Sequence, residues 1–363
     1  MGAASAGSAA SARDAFSGVK PVEERHRLDE AKLAAWLGEH VEGYSGPLTI
    51  FQFKGGQSNP TYRLDTPGRS YVLRRKPFGT LLPSAHAVDR EFKVISALGG
   101  VGFPVARAYS LCEDDIVIGA AFYVMEMVEG RVFWDARLPQ VPREQRRSIF
   151  EAEIDTLARL HSFDPEVIGL GDYGRPWNYF ERQIARWSKQ YRASETEPIA
   201  EMDRLLAFLP RSIPPEEGRI SVVHGDYRLD NLIFSADATQ VKAVLDWELS
   251  TLGDPLADIT YFLMNWFMDA DGRSGLAGLD LESLGIPSAE ELFARYNAAT
   301  GRENPPVLDW YLAYNMFRLA AILQGIAGRV RDGTAASAEA QTMARRVRPL
   351  AERAWSFAEK AGA

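Results

Sequence analysis

Thiol chemistry is almost missing from this sequence: its 363 residues contain one cysteine, Cys112. An intrachain disulfide and a thiolate metal cluster are therefore both excluded. A reducing cytosol fits, and Cys112, following a predicted strand, reads as an ordinary structural thiol. The five histidines, His26, His40, His86, His161 and His224, form no H-E-x-x-H pair and no other zinc spacing. No apolar run approaches the roughly 18 residues of a membrane span. A basic surplus is also lacking. Lys and Arg number 41 against 49 Asp and Glu, a net charge of −8, which argues against a nucleic-acid footprint. The acidic surplus would suit a cationic substrate, but solubility explains it more simply. Residues 1–20 are mostly Ala, Ser and Gly, without the apolar stretch of a signal peptide or the arginines of a transit peptide. They read as a disordered tail. The expectation is a cytoplasmic protein, monomer or homodimer, whose partner is a small molecule rather than nucleic acid or a membrane.

What is present is an ordinary globular composition, 46% hydrophobic and 25% charged, long enough for two lobes with a large core. Asp29 is placed to cap a helix carrying Leu33, Trp36 and Leu37. Strands are predicted at 48–53, 61–64, 70–74, 105–109 and 121–127. A helix over 84–98 interrupts them, with Val88, Phe92, Ile95 and Leu98 on one side. Gly130 then punctuates the chain. Beyond it the pattern turns helical, at 143–161, 179–191 and 308–330, apart from a small hairpin of 232–234 with 241–245. The predicted division is a tail (1–20), a β-rich N-terminal nucleotide-binding lobe (21–128) and a mainly helical C-terminal lobe (129–363), an α+β class.

The most informative stretch is His224-Gly225-Asp226-Tyr227-Arg228-Leu229-Asp230-Asn231, followed by Val244-Leu245-Asp246-Trp247. A phosphoryl-transfer site needs these parts in this order: a carboxylate to orient the attacking hydroxyl and accept its proton, then an amide oxygen and a second carboxylate to hold Mg²⁺ against nucleotide phosphates. Asp226 is the candidate base. Asn231 and Asp246 are the candidate metal pair, hard oxygen donors whose remaining shell would be phosphate and water. His224 is read as ordering the loop rather than as a catalyst. Asp254 and Asp258, in Gly253-Asp254-Pro255-Leu256-Ala257-Asp258, are read as bracing that loop, with Asp258 starting a helix over 259–268.

Upstream, Gly55-Gly56 with Ser58 and Asn59 sits in a turn between two strands, where backbone N–H groups can approach phosphates. A double Gly in a hairpin is also simply a turn. Arg74 would pair with Glu91 and present a cation to the phosphates. Arg75 and Lys76 compete for that role, but strand alternation places Arg74 with Val72 and opposite Arg75. Glu126 and Val128 would offer a backbone carbonyl and N–H to an adenine edge.

Together these residues resemble the aminoglycoside phosphotransferase family, the choline/aminoglycoside kinase-like group, over roughly residues 45–330. The matching segments are Phe53-Lys54-Gly55-Gly56-Gln57-Ser58-Asn59, Tyr71-Val72-Leu73-Arg74, the His-Gly-Asp loop, Asp246-Trp247-Glu248 and Gly253-Asp254-Pro255. The resemblance implies a two-lobed protein-kinase-like fold and transfer of the γ-phosphate of ATP, with Mg²⁺, to a small-molecule hydroxyl. By the same match Asp226 corresponds to the family's base, Asn231 and Asp246 to its metal ligands, and Glu126 and Val128 to its hinge. Leu73-Arg74-Arg75-Lys76-Pro77, Tyr179-Phe180-Glu181-Arg182-Gln183 with Trp187, and Leu245 to Thr251 further resemble the kinase-like domain that some acyl-CoA dehydrogenase-family proteins carry at their N-terminus. That subgroup implies a hydroxy acid or hydroxyacyl-CoA acceptor. An antibiotic kinase and a nucleotide-binding pseudokinase are the rival readings. The broad family generally has Lys where Arg74 stands, and the two are not interchangeable.

Overall fold

The computed structural model describes residues 18–54, 59–77, 87–271, 273–303, 308–333 and 338–363. It contains two compact units. One comprises Met1–Asp135, Ile168–Tyr173 and Leu229–Leu249, the other Ala136–Val167, Gly174–Arg228 and Ser250–Ala363. The class is α+β.

The first unit is built on a six-stranded antiparallel sheet of β1 (Val19–Pro21), β2 (Thr49–Phe53), β3 (Thr61–Asp65), β4 (Ser70–Arg75), β5 (Ala108–Cys112) and β6 (Phe122–Glu126), in the order β1-β2-β3-β4-β6-β5. The two-residue period of a strand sorts its side chains by face. Tyr62 and Leu64, Tyr71 and Leu73, and Phe122 and Val124 share one buried core with Leu33 and Leu37 of the helix Glu30–His40. Asp29 caps that helix, accepting from Lys32 N at 3.1 Å. Cys112 lies in the same core as a buried free thiol. Val72, Arg74 and Tyr123 belong to the other face, Arg74 directly opposite Tyr123 in register. The helix Val88–Gly100 carries Glu91 to that face. The strand expected at 105–109 forms three residues later. Val105 N turns back to Phe103 O at 2.9 Å, beside Pro104, which has no N–H to give a ladder.

Two more strands of this unit, β8 (Leu232–Phe234) and β9 (Val241–Val244), form the predicted hairpin, Leu232 opposite Val244. Gly130 is required by a close approach: a Cβ there would sit 2.2 Å from Phe234 O, on the hairpin's edge.

The second unit is mainly helical. Its longest helix, Leu308–Arg331, is buried along most of its length, with Trp310, Tyr314 and Phe317 in the core. It packs against Tyr179–Ser194, Leu256–Leu263 and Val347–Lys360. A two-stranded ribbon, β7 (Ser221–Val223) with β10 (Thr251–Gly253), leads into the His224–Asp226 loop. The aromatics Tyr179, Trp187, Trp266, Trp310 and Tyr311 are all core, whereas Trp177 is half exposed. Among the described residues no helix is long and apolar enough to cross a membrane.

Candidate active site

Arg74 is the hub of the first unit's polar face. Its Nε lies 2.9 Å from Glu91 Oε2, and its Nη2 lies 2.9 Å from Asp246 Oδ1 and 3.2 Å from Glu248 Oε2. The Nη2 contacts are aligned hydrogen bonds, whereas Nε is not aligned for one, so the Glu91 pairing is coulombic. Burial pulls the basicity of Arg74 down, but Glu91, Asp246 and Glu248 outweigh it and hold the guanidinium above its usual range. Glu91 moves the other way to a bare ion pair: burial raises its pKa, and the like charge of Asp246 adds to that against Arg74. The geometry settles which cation is central. Arg75 points into the opposite face, fully buried, donating to Tyr62 OH at 3.1 Å. Lys76 sits at the surface, 3.6 Å from Asp89.

Asn59 is buried, and its amide donates to Glu91 Oε1 at 2.8 Å, while Tyr123 OH donates to Glu91 Oε2 at 3.0 Å. The side chain of Asn59 thus holds Glu91. Gly55, Gly56 and Ser58 lie outside the described residues.

The β8–β9 hairpin brings Asn231 and Asp246 together from positions fifteen residues apart. Leu245 N donates to Asn231 O at 2.8 Å, one residue beyond the last paired rung. Asp246 then adopts φ 64°, the left-handed region that non-glycine residues rarely occupy. Trp247 anchors the turn, its indole donating to Val244 O at 3.0 Å and lying edge-on to Phe103. Strain of this kind persists only where its surroundings enforce it, and it gathers at functional loops.

These residues suit a divalent ion. One guanidinium faces three carboxylates, a convergence of hard oxygen donors. Among the described residues no group of three or more His, Cys, Asp or Glu is arranged to hold a metal unaided. Two hard oxygen donors, with phosphate and water for the rest, is how Mg²⁺ is commonly taken up in nucleotide sites.

In the second unit a buried carboxylate shapes the Asp226 loop. Asp258 Oδ2 accepts from His224 N at 2.6 Å and Oδ1 from Gly225 N at 2.8 Å. His161 Nε2 lies 3.3 Å from the same carboxylate, and its Nδ1 2.7 Å from Tyr296 OH. Burial alone would raise the pKa of Asp258, but the His161 contact and the loop N–H groups bring it below the usual range. Burial lowers the basicity of His161, against the opposing pull of the Asp258 carboxylate. His224 orders the loop as expected, its Nδ1 accepting from Asp226 N at 3.1 Å.

Asp258 does not start its helix. The helix runs from Leu256 to Leu263 and passes into a 3₁₀ turn at Met264–Phe267, while Asp254 Oδ1 accepts from Leu256 N at 2.8 Å. Asp254 caps and Asp258, within the first turn, braces. Gly253 is required here because a Cβ would meet the Tyr179 ring at 2.2 Å.

Two groups beside Asp226 escaped the sequence reading. Tyr261 OH donates to Asp226 Oδ1 at 2.6 Å, and Arg318 Nη2 donates to Gly225 O. Tyr261 follows Asp258 by three positions, on the same side of a helix, which is the available signal. Arg318 comes from 92 residues beyond Asp226 and leaves none. Of the hinge candidates, Glu126 ends β6 with its N–H on Arg107 O at 2.9 Å, and Val128 lies in the irregular chain that follows.

The chain matches the phosphotransferase enzyme family over residues 49–311. A solved structure from Ralstonia eutropha JMP134, named for the aminoglycoside phosphotransferases, is 50% identical with TM-score 0.86, covering 93% of this chain and all of that one. Spectinomycin phosphotransferase, solved with ADP and spectinomycin, shares the fold alone, at TM-score 0.59 and 12% identity over 93% of this chain and 99% of that one. Mouse acyl-CoA dehydrogenase family member 10 is 44% identical over 92% of this chain and 31% of its own length. Human acyl-CoA dehydrogenase family member 11 is 40% identical over 93% of this chain and 44% of its own. The chain spans less than half the length of these curated relatives. The kinase-like fold, the half-identical solved structure and a family match over most of the sequence agree: the chain belongs to the phosphotransferase enzyme family.

Proposed function

We propose that this protein is a cytoplasmic, Mg²⁺-dependent kinase that moves the γ-phosphate of ATP to a hydroxyl of a small molecule, a hydroxy acid or its CoA thioester. The observation that carries the reading is the Asp246 turn, a carboxylate on strained backbone beside Asn231, one of three carboxylates gathered on Arg74. Asn231 and Asp246 would hold Mg²⁺, which when bound supplies neutralisation of the charge on the phosphate oxygens. Arg74, fixed by Glu91, would steady the phosphates, and the backbone at Glu126 and Val128 would take the adenine edge. Asp226, aimed by Tyr261 through Oδ1, would orient the acceptor hydroxyl and accept its proton. Catalysis in this scheme is positioning plus electrostatics. The acyl-CoA dehydrogenase relatives support the acyl acceptor, and the ADP-bound neighbour supports ATP.

The test is ADP release from Mg·ATP with hydroxyacyl-CoAs, free hydroxy acids and aminoglycosides as acceptors. Asp226→Ala should lower transfer by roughly 10²–10⁴-fold while ATP still binds. Asp246→Ala should weaken Mg²⁺-dependent nucleotide binding. Undiminished turnover in Asp226→Ala overturns the assignment of the base. Tight ATP binding with no ADP release from any alcohol would mark a nucleotide-binding scaffold instead.

A further inference from the structure

The second unit holds a group of arginines around the Asp226 loop that the reaction scheme leaves unused. Arg318 is 4% exposed and reaches the loop through its bond to Gly225 O, yet its Nε has no hydrogen-bond partner. Its guanidinium lies over the Tyr261 ring at 5.1 Å and over Trp187 at 5.5 Å. Arg186 lies over the same indole at 5.0 Å. It is solvent-accessible and, among the described residues, makes no hydrogen bond or ion pair. One helical turn back on the same side, Arg182 donates to Arg175 O at 2.6 Å while its Nη1 is buried without a partner.

The carboxylates of Glu216 and Glu181 act on Arg182, whereas Arg186 makes no ion pair among the described residues. Arg318, Tyr179 and Tyr314 are the side chains that act most strongly on the Arg186 guanidinium. The influences on Arg318 are burial, Tyr314, Tyr179, Tyr261 and Asp226. Asp226 acts on Arg318, and the proposed reaction needs that carboxylate for the acceptor's hydroxyl. Two guanidinium groups on one indole, one of them open to solvent, are an unfavourable arrangement in an otherwise acidic protein unless an anion joins them.

We infer that Arg186, backed by Arg318, is the recognition site for a negatively charged group on the acceptor, a carboxylate or a CoA phosphate. The inference rests on the kinase reading for the word acceptor and deepens it. The site selects acidic alcohols and repels polycationic aminoglycosides. Arg318 couples it to the reacting centre, because the same side chain touches Gly225 O and the shared indole. The guanidinium of Arg186 provides paired N–H donors matched to carboxylate or phosphate oxygens.

Binding can be measured apart from transfer. Calorimetric titration of the full chain with valerate, with acetyl-CoA and with methyl valerate separates the sources. A carboxylate site binds valerate, a phosphate site binds acetyl-CoA, and methyl valerate binds neither way. Arg186→Ala should weaken the anion that binds by roughly 10-fold or more, and Arg186→Lys should restore part of the loss. Rising salt should weaken wild-type binding. In the ADP-release assay, Arg186→Ala should lower kcat/KM for a hydroxy acid or its thioester far more than for the corresponding methyl ester, mainly through KM. Absence of anion binding by the wild type, or equal binding by Arg186→Ala, overturns the inference whatever the kinase assay gives. ADP release that ignores the acceptor's charge overturns it too, while leaving the kinase reading standing. Anion binding without ADP release from any alcohol would sink the kinase reading and keep the site.

Discussion

Glu91 in the first unit and Asp258 in the second are both deeply buried carboxylates that hold another acidic loop in place, yet they are held in opposite ways. Asp258 is surrounded by donors. Two backbone N–H groups and His161 point at it and, against burial, its pKa falls. Glu91 also receives donors, from Asn59 and Tyr123, but shares its cation with Asp246 and Glu248, and its pKa rises. Several donors aimed at one carboxylate settle a buried charge, whereas a shared arginine leaves the carboxylates competing. The Asp258 loop is thereby a finished structure. The Arg74 cluster is an unfinished one by comparison, three carboxylates sharing one guanidinium.

The strongest way to break this contrast is Asp258→Ala. It strands His224 N, Gly225 N and His161 in a buried site, and should cost about 3–5 kcal/mol of stability and most of the transfer activity. Denaturant unfolding checks it, and a wild-type midpoint would show that the loop stands without its brace. Asp258→Asn, which keeps one acceptor oxygen, should lose less. The sign of the pH effect is also fixed. The folded pKa of Asp258 lies below the unfolded 3.8, so its contribution is present above 3.8 and is lost as pH falls through the folded value.

Asp254, one helical turn before Asp258, sharpens the comparison. It caps Leu256 and is nearly as buried, but Arg302 stands 4.0 Å away, beyond hydrogen-bond distance, and burial pushes its pKa up from 3.8 to about 6. The folded state therefore holds the proton more tightly. Stability from this group is full below 3.8 and drains as pH rises to about 6, by up to about 3 kcal/mol at neutral pH. Asp254→Asn keeps an acceptor for Leu256 N and should raise neutral-pH stability by about 1–3 kcal/mol while flattening the melting temperature between about pH 4 and 6. An unchanged pH profile would show that Arg302 compensates Asp254 in solution.

These differences explain what the sequence could disclose. Asp226, Asn231 and Asp246 were legible because their spacing lies within one short stretch ending in a hairpin. Arg74 was separable from Arg75 because a strand alternates, and the structure puts the two on opposite faces. Glu91 was reachable because one helix separates it from β4. Asn59 is a phosphate-turn candidate by its glycine neighbours, and its amide donates to Glu91, a contact that local sequence does not encode. His161, Tyr261 and Arg318 depend on helices arriving from far along the chain. Lone residues of those types inside amphipathic helices look like any other core or surface position.

The smallest effect tests the unfinished half. Glu91→Gln removes one of the three carboxylates on Arg74 and keeps an oxygen for Asn59 or Tyr123. Because the folded pKa of Glu91 is raised above the unfolded 4.5, its ionised form weakens the fold as pH rises through the folded value, so the variant should hold neutral-pH stability within about 1 kcal/mol of wild type. Its cost falls on function instead. Arg74 retains Asp246 and Glu248 on Nη2 but loses the anchor beside Nε, and should fold toward those two carboxylates. The KM for Mg·ATP should then rise by roughly 5–20-fold with little change in melting temperature. A loss of stability matching that of Asp258→Ala would mean that Glu91 is as fully compensated as its counterpart.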